Sequence, residues 1–363
     1  MSALRELLIY AVGREASDLH LKPGAPPALR VNAELVLVER EPLSAEEIQA
    51  ISTEVIPRHM KASFERSGEA DFSLVEEGVG RFRVNVFMST GQHTVAVRHV
   101  KDEAPSFEAL HLPPIISRLA VAPRGMILVS GTTGCGKSTT LAAMIEHINR
   151  HLRRRILTVE DPVEYVFSDK KSVISQREVG LDTATFNAAL KRVLRQNPDV
   201  IMIGEMRDVE SVMAALQAAE TGHLVLTTMH TGTAPQAVPR MLDLFPASER
   251  DPLRLALAEN LRAVICQRLV PCIQGGVRPA AEILINTATV RKLIEQNKIE
   301  KLHAAIETGR EDGMQTFNQS LADLIRGGEI TEQQGMRHAG NPEALRMMLR
   351  GITLDEGRRI LAT

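Results

Sequence analysis

The octapeptide Gly131-Thr-Thr-Gly-Cys-Gly-Lys137-Ser138 constrains this chain more than any other feature. It fits G-x-x-x-x-G-K-[ST] in full, and it lies between an apolar run, Met126–Val129, and a segment of helical periodicity, Thr139–Arg150. Strand, glycine-rich loop and helix in that order make a cradle for an anion. The glycines let backbone N–H groups curl inward, and the helix start adds the positive end of its dipole. Lys137 is placed to reach the β- and γ-phosphates of a nucleotide, and the Ser138 hydroxyl to ligate Mg²⁺. The nucleotide-binding set is Gly131, Thr132, Thr133, Gly134, Cys135, Gly136, Lys137, Ser138 and Thr139.

The surrounding pattern agrees with a doubly covered sheet. Wholly apolar runs recur at Met126–Val129, Ile156–Val159, Val200–Ile203 and Leu224–Leu226, separated by helix-length segments. Runs without alternation suit strands buried on both faces, and strand–helix repetition implies a parallel sheet. The first hundred residues read differently. A helix is expected over 1–20, with Leu4, Leu7, Leu8 and Val12 near helical spacing, then a strand over Leu29–Val38 and a helix over Leu43–Met60 after an N-cap at Ser44. Gly80–Phe87 alternates, with Phe82, Val84 and Val86 on one face and Arg81, Arg83 and Asn85 on the other, and Ser89–His93 turns the chain into Thr94–Val100. The fold class is therefore α/β with an N-terminal α+β domain, residues 1–103. A proline-bearing linker over 104–123, a P-loop core over 124–285 and a helical region over 286–363 follow.

Hydrolysis needs carboxylates near the bound phosphates. Asn197-Pro-Asp-Val-Ile-Met-Ile-Gly204-Glu205 supplies an apolar strand ending in Glu205, and Ile156-Leu-Thr-Val-Glu160-Asp161-Pro-Val-Glu164 puts three acids beyond another. Ligands of open parallel sheets bind at the carboxyl ends of strands, so Glu205, Glu160, Asp161 and Glu164 are candidates for handling water and metal, Ser138, Asp161 and Glu164 being the metal set. At least one of the three acids at 160–164 has a structural task. His230, at the carboxyl end of the strand starting at Leu224, is placed to sense a γ-phosphate, whereas His223 precedes that strand and reads as structural. Arg81, Arg83 and Arg98 read from periodicity as a solvated sheet face, and Arg153-Arg154-Arg155 as an exposed helix end.

Composition narrows the function further. Lys plus Arg number 43 against 45 Asp plus Glu, a net charge of −2, and nine Phe, two Tyr and no Trp leave few stacking platforms. Both facts oppose a nucleic-acid motor, whose affinity would rest on many phosphate contacts and stacked bases. Cys135, Cys266 and Cys272 are too few for a four-thiolate zinc site. Charged residues interrupt the first twenty positions, unlike a signal peptide, and no apolar run approaches the length of a membrane span, so a cytoplasmic chain is expected.

Together these motifs resemble the secretion-superfamily ATPases, and within them the PilT-type twitching-motility motors. Ala16-Ser-Asp-Leu-His-Leu looks like the family's opening signature, Gly131–Ser138 is similar to its Walker A loop, and Ile156–Glu164 to its Asp box. Asn197–Asp208 resembles its Walker B segment and Gly222–Thr231 its His box. The resemblance implies a PAS-like N-terminal domain, a RecA-like P-loop ATPase domain with a helical C-terminal extension, and a homo-hexamer using ATP and Mg²⁺. It also implies catalytic use of Arg81, Arg83 and Arg98 as arginine fingers beside Glu205, Glu164, Glu160 and His230. Further implications are a place at the inner membrane through a pilus platform protein, and no nucleic-acid partner. Assembly-type relatives carry a four-cysteine module where Cys266-Gln-Arg-Leu-Val-Pro-Cys272 runs directly into Gly275-Gly276, which points to retraction. Gly313-Met-Gln-Thr-Phe317 resembles the retraction subfamily, but Thr289-Val-Arg291-Lys-Leu-Ile294 has Lys292 where PilT has Asn, and the tail after Phe317 resembles the paralogous retraction motor PilU.

Overall fold

The computed structural model describes residues 3–31, 34–100 and 103–352. Its contacts divide into two units: Met1–Glu103 with Pro162–Phe167 and Glu178–Ala184, and Ala104–Asp161 with Ser168–Arg177 and Thr185–Thr363.

The first unit runs α1 (Ala3–Gly13), β1 (Asp18–Leu21), β2 (Ala28–Val31), β3 (Glu34–Leu37), α2 (Ala45–Val55), α3 (Arg58–Ser67), β4 (Glu69–Glu76), β5 (Gly80–Ser89) and β6 (Gln92–Val100). The strands form one antiparallel six-stranded sheet in the order β3-β2-β1-β6-β5-β4. Phe82, Val84 and Val86 of β5 are buried with Val95 and Val97 of β6 and with Leu4, Leu7 and Leu8 of α1, as the alternation requires. Thr90 and Gly91 both take positive φ, the requirement of a two-residue hairpin whose twist matches its strands. Ser44 caps α2 as expected, accepting from Glu47 N while the Glu47 carboxylate accepts from Ser44 N.

Three local expectations need correction. The first helix stops at Gly13, because Asp18–Leu21 is claimed by β2 on one side and β6 on the other. The single strand over Leu29–Val38 is two strands, with Val31 paired to Glu34; its residues 32 and 33 lie outside the described set. The helix over Leu43–Met60 is broken at Pro57, which stands as the N-cap of α3 and cannot continue α2.

The second unit begins with α4 (Ile115–Ala120), β7 (Gly125–Gly131), α5 (Lys137–His151), β8 (Arg155–Glu160), β9 (Val173–Glu178, whose last residue is counted in the first unit) and α6 (Phe186–Val193). It continues with β10 (Val200–Ile203), α7 (Val209–Glu220), β11 (Leu224–Met229), α8 (Ala237–Leu242), α9 (Arg250–Asn260), β12 (Leu261–Pro271) and β13 (Val277–Ile285). It ends in α10 (Ala288–Glu295), α11 (Leu302–Thr308), α12 (Phe317–Arg326), α13 (Glu332–His338) and α14 (Pro342–Leu349). The seven-stranded sheet has the order β13-β12-β7-β11-β10-β8-β9. The apolar runs become β7, β8, β10 and β11, parallel to their neighbours and almost wholly buried. The parallel order brings the carboxyl ends of β7, β11, β10 and β8 to one edge. β12 extends the parallel set beside β7, and β13 returns antiparallel through a short turn in which Cys272 N donates to Gly276 O.

The arginine run at 153–155 is not an exposed helix end. Helix α5 stops at His151 and Arg155 opens β8; Arg155 N donates to an Asp199 carboxylate oxygen at 2.7 Å, and Arg154 pairs with the same carboxylate at 3.3 Å.

Candidate functional site

The loop between β7 and α5 is shaped by glycine. Gly131 has φ +139°, and a Cβ there would lie 2.5 Å from both Cys135 Sγ and Gln267 O, so no side chain fits without displacing the loop. Gly134 and Gly136 also take positive φ. Thr132, Thr133 and Gly134 are exposed at the crest, Cys135 and Lys137 are buried, and Ser138 and Thr139 stand half-buried at the start of α5. Lys137 Nζ folds back over the loop and donates to Gly131 O at 3.1 Å and Thr132 O at 3.0 Å. Its charge is therefore held against the loop's own carbonyls.

Glu205 follows β10 and is positioned by backbone on both sides. Gly204 N donates to Val159 O at the end of β8, Thr228 Oγ1 of β11 donates to Gly204 O at 2.7 Å, and Met206 N donates to Thr228 O. Gly204 allows this close passage: a Cβ would come within 3.2 Å of Val159 O. The Glu205 carboxylate meets His230 Nε2 at 3.2 Å and accepts from Arg207 Nη2 at 2.7 Å. Burial pushes the carboxyl up, but the hydrogen bond and charge of Arg207, with the charges of His230 and Lys137, outweigh it and leave it below the ordinary glutamate value. Glu205 is thus ionised at any working pH. It is suited to orienting a water and holding charge rather than to lending a proton near neutrality.

Glu160 closes β8 and is 7% exposed, with its Oε1 accepting from Thr158 Oγ1 at 2.6 Å and Gln176 Nε2 at 3.1 Å. Asp161 is exposed in the same unit, whereas Glu164 is exposed in the first unit. His223 Nδ1 lies 2.9 Å from Ala218 O at the end of α7, the structural placement expected for it. Arg81, Arg83 and Arg98 belong to the first unit, each against a carboxylate of that unit. Arg81 Nη2 pairs with Glu178 at 2.8 Å, Arg83 Nε donates to Asp71 at 3.0 Å, and Arg98 Nε pairs with Asp18 at 2.8 Å across directly opposed positions of β6 and β1.

Reading the sequence alone singled out neither Arg207, which sets the ionisation of Glu205, nor Gln176, which holds Glu160. Arg207 lies two residues beyond Glu205 and inside the Asn197–Asp208 segment, a signal that was available. Gln176 shows no local signal. Also missed was Glu282 on β13, 2% exposed, whose Oε2 accepts from Ala234 N at 2.7 Å in the loop after His230. Burial pushes the Glu282 carboxyl above its ordinary value, against the pull of the Ala234 N–H, His303 and Arg268. A carboxyl that binds its proton more tightly when folded costs stability progressively as pH rises above the unfolded value of 4.5. Glu282→Gln keeps an acceptor for Ala234 and removes that cost. Its melting temperature relative to the wild type is expected to be higher at pH 8 than at pH 5, and a constant difference across that range contradicts the placement.

The geometry can bind a nucleotide's phosphates at a helix start and present an ionised carboxylate and an imidazole beside them, the arrangement of phosphoryl transfer to water. Comparison with known proteins agrees. Residues 3–353 match the family described as type II/IV secretion system protein. The chain is 41% identical over 340 residues to the type IV pilus retraction ATPase PilT of Pseudomonas aeruginosa, covering 94% of this chain and 99% of the relative. It is 39% identical over 346 residues to the type IV pilus ATPase PilU of the same organism, covering 95% and 91% respectively. A crystal structure of the pilus retraction motor PilT with bound ADP superposes with a TM-score of 0.89 at 41% identity, covering 96% of this chain and 100% of that one.

Proposed function

The chain belongs to the type II/IV secretion system protein family, in the branch of the PilT- and PilU-type pilus motors, and from that premise we propose that it hydrolyses ATP to drive retraction of a type IV pilus. The observation that carries the reading is the meeting of three parts at the carboxyl ends of β7, β11 and β10: the loop around Lys137, the carboxylate of Glu205, and His230 at 3.2 Å from it.

Water attacks the γ-phosphorus in line with the departing oxygen, and catalysis consists of positioning and charge neutralisation. Lys137 and the amides over Thr132–Gly136 hold the β- and γ-phosphates, with Ser138 and Thr139 at the start of α5 beneath them. Glu205 orients the water and His230 reads the γ-phosphate. Mg²⁺, when bound, neutralises charge on the phosphate oxygens. Ser138, with Asp161 and Glu164, would hold it. Glu160 fixes the water shell from the end of β8. Arg81, Arg83 and Arg98 exchange their carboxylates for phosphate in an assembled homo-hexamer, in which residues 1–103 serve as the PAS-like domain, 104–123 as linker, 124–285 as RecA-like core and 286–363 as helical extension.

No helix among the described residues is long and apolar enough to cross a membrane, and the proposed place of action is the inner membrane, reached through a pilus platform protein. The tight β12–β13 turn supports retraction over assembly, and the test is genetic. Deletion in the parent bacterium is expected to abolish twitching while surface pili persist or accumulate; loss of surface pili refutes retraction. A PilU-like accessory role is favoured by one observation. In α10, Val290, Leu293 and Ile294 are buried while Arg291 and Lys292 are exposed, so the replacement of the PilT asparagine by Lys292 alters surface and not packing. If pili accumulate only when a second motor gene is also removed, the accessory role is the correct one.

A further inference from the structure

The loop that follows His230 is held at three points by the β12–β13 hairpin. Thr231 O accepts from Cys266 Sγ at 3.5 Å, Gly232 O accepts from Arg268 Nη2 at 3.1 Å, and Ala234 N donates to Glu282. Cys266 and Glu282 are directly opposed across the two strands, and Arg268 is two residues from Cys266 on the same face. Glu282 also accepts a backbone hydrogen bond from Phe317, and Arg268 reaches further still. Its Nη1 donates to His338 O at 2.6 Å, at the last residue of α13, and its guanidinium lies 4.0 Å over the ring of Phe317, the first residue of α12.

The planar fork of arginine suits this task. Its donors point in fixed directions and its face stacks on an aromatic ring, so two carbonyls and a phenyl are held in one geometry. Both carbonyls are main-chain, so the guanidinium fixes the path of two backbones. The far side is stiff as well. Ile283 N donates to Gln315 O at 2.8 Å, Gln315 Nε2 donates to Ala281 O at 2.8 Å, and Ala281 N donates to Ser320 Oγ at 3.1 Å, stitching β13 to the start of α12.

We propose that Arg268 is a positioning residue for the ATPase cycle, coupling the loop 230–234, and through it the His230–Glu205 contact, to the C-terminal helices α12 and α13. This rests on the ATPase reading above. When the partners of His230 change with the nucleotide, a shift of Gly232 O carries the guanidinium with it, and Phe317 and His338 must follow. A merely structural arginine would only satisfy the last carbonyls of α13 and favour its dipole.

Amide hydrogen exchange on the full-length protein separates the two roles, comparing ADP with a non-hydrolysable ATP analogue. In the wild type, exchange is expected to differ between the nucleotides both in 231–236 and in 332–341. In Arg268→Gln the difference persists in 231–236 and vanishes in 332–341. The Kd for a fluorescent ATP analogue stays within about twofold, while kcat falls about tenfold, the scale of a typical coupling energy. Arg268→Lys restores only part of the response, since one ammonium cannot serve both carbonyls and the ring. Phe317→Leu, which keeps both hydrogen bonds, weakens the response in 332–341 and provides a second route should the glutamine variant fold poorly. The proposal is overturned if the 332–341 response survives in Arg268→Gln, if the wild type shows none, or if affinity and melting temperature fall in step with kcat. Absence of ATP turnover in the wild type overturns the underlying ATPase reading instead.

Discussion

Lys137→Ala is expected to reduce ATP turnover to background and to weaken ATP binding severely. The ammonium folds back over the 131–136 loop, and its two present partners, Gly131 O and Thr132 O, are neutral carbonyls. A phosphate offers it a full negative charge, which turns an ion–dipole contact into a hydrogen-bonded ion pair. Removing one preorganised donor from a charged transition state costs ~10²–10³ in rate, and here ground-state binding is lost as well. The two carbonyl bonds lost come from a charged donor, about 1.5–3 kcal/mol each, but the desolvation cost of the buried ammonium is removed with them, so the fold should survive. The check is a steady-state ATPase assay with nucleotide titration on a variant whose melting temperature is near that of the wild type. Substantial activity there would remove the phosphate-binding assignment of the loop.

What could be read in advance follows the range of the forces involved. β7, β8, β10 and β11 are legible because a strand buried on both faces must be apolar throughout, and α2 because its capping box lies within four residues. Glu205 and His230 are legible because a residue just past a buried parallel strand has only the sheet edge to occupy. β12 was not, since Arg262, Gln267 and Arg268 interrupt any run and its burial matches neither strand period nor helix period. β1 was absorbed into a helix because sheet pairing on both sides overrides the local pattern. The partners of Arg81 and Arg154 stand 97 and 45 residues away, and a charge run carries no mark of a partner at that distance. The arginines therefore read as solvent-facing, although each is anchored.

Glu205→Gln is expected to retain ATP binding and lose turnover by at least about a hundredfold, the lower range for removing a positioned acid–base group. The amide is nearly the same size and still accepts from Arg207, so the β10 end, held by Val159, Thr228 and Gly204 backbone groups, keeps its path. What disappears is the negative charge that aligns the attacking water. Binding should hold or tighten, because a carboxylate near the γ-phosphate repels it and the amide does not. The pH profile adds an independent check. Because Arg207, His230 and Lys137 together hold the Glu205 carboxyl below the usual 4.5, the wild-type rate owes no loss to protonation of Glu205 as pH falls from 7 to 5.5. In Arg207→Ala the main stabilising partner is gone and burial dominates, so an acid limb should move upward into the measured range. Unchanged turnover in Glu205→Gln would transfer the water-orienting role to Glu160, Asp161 or Glu164. An unmoved acid limb in Arg207→Ala would mean that the Arg207–Glu205 pair gives way once nucleotide binds, leaving the phosphates and Lys137 to set the charge at the end of β10.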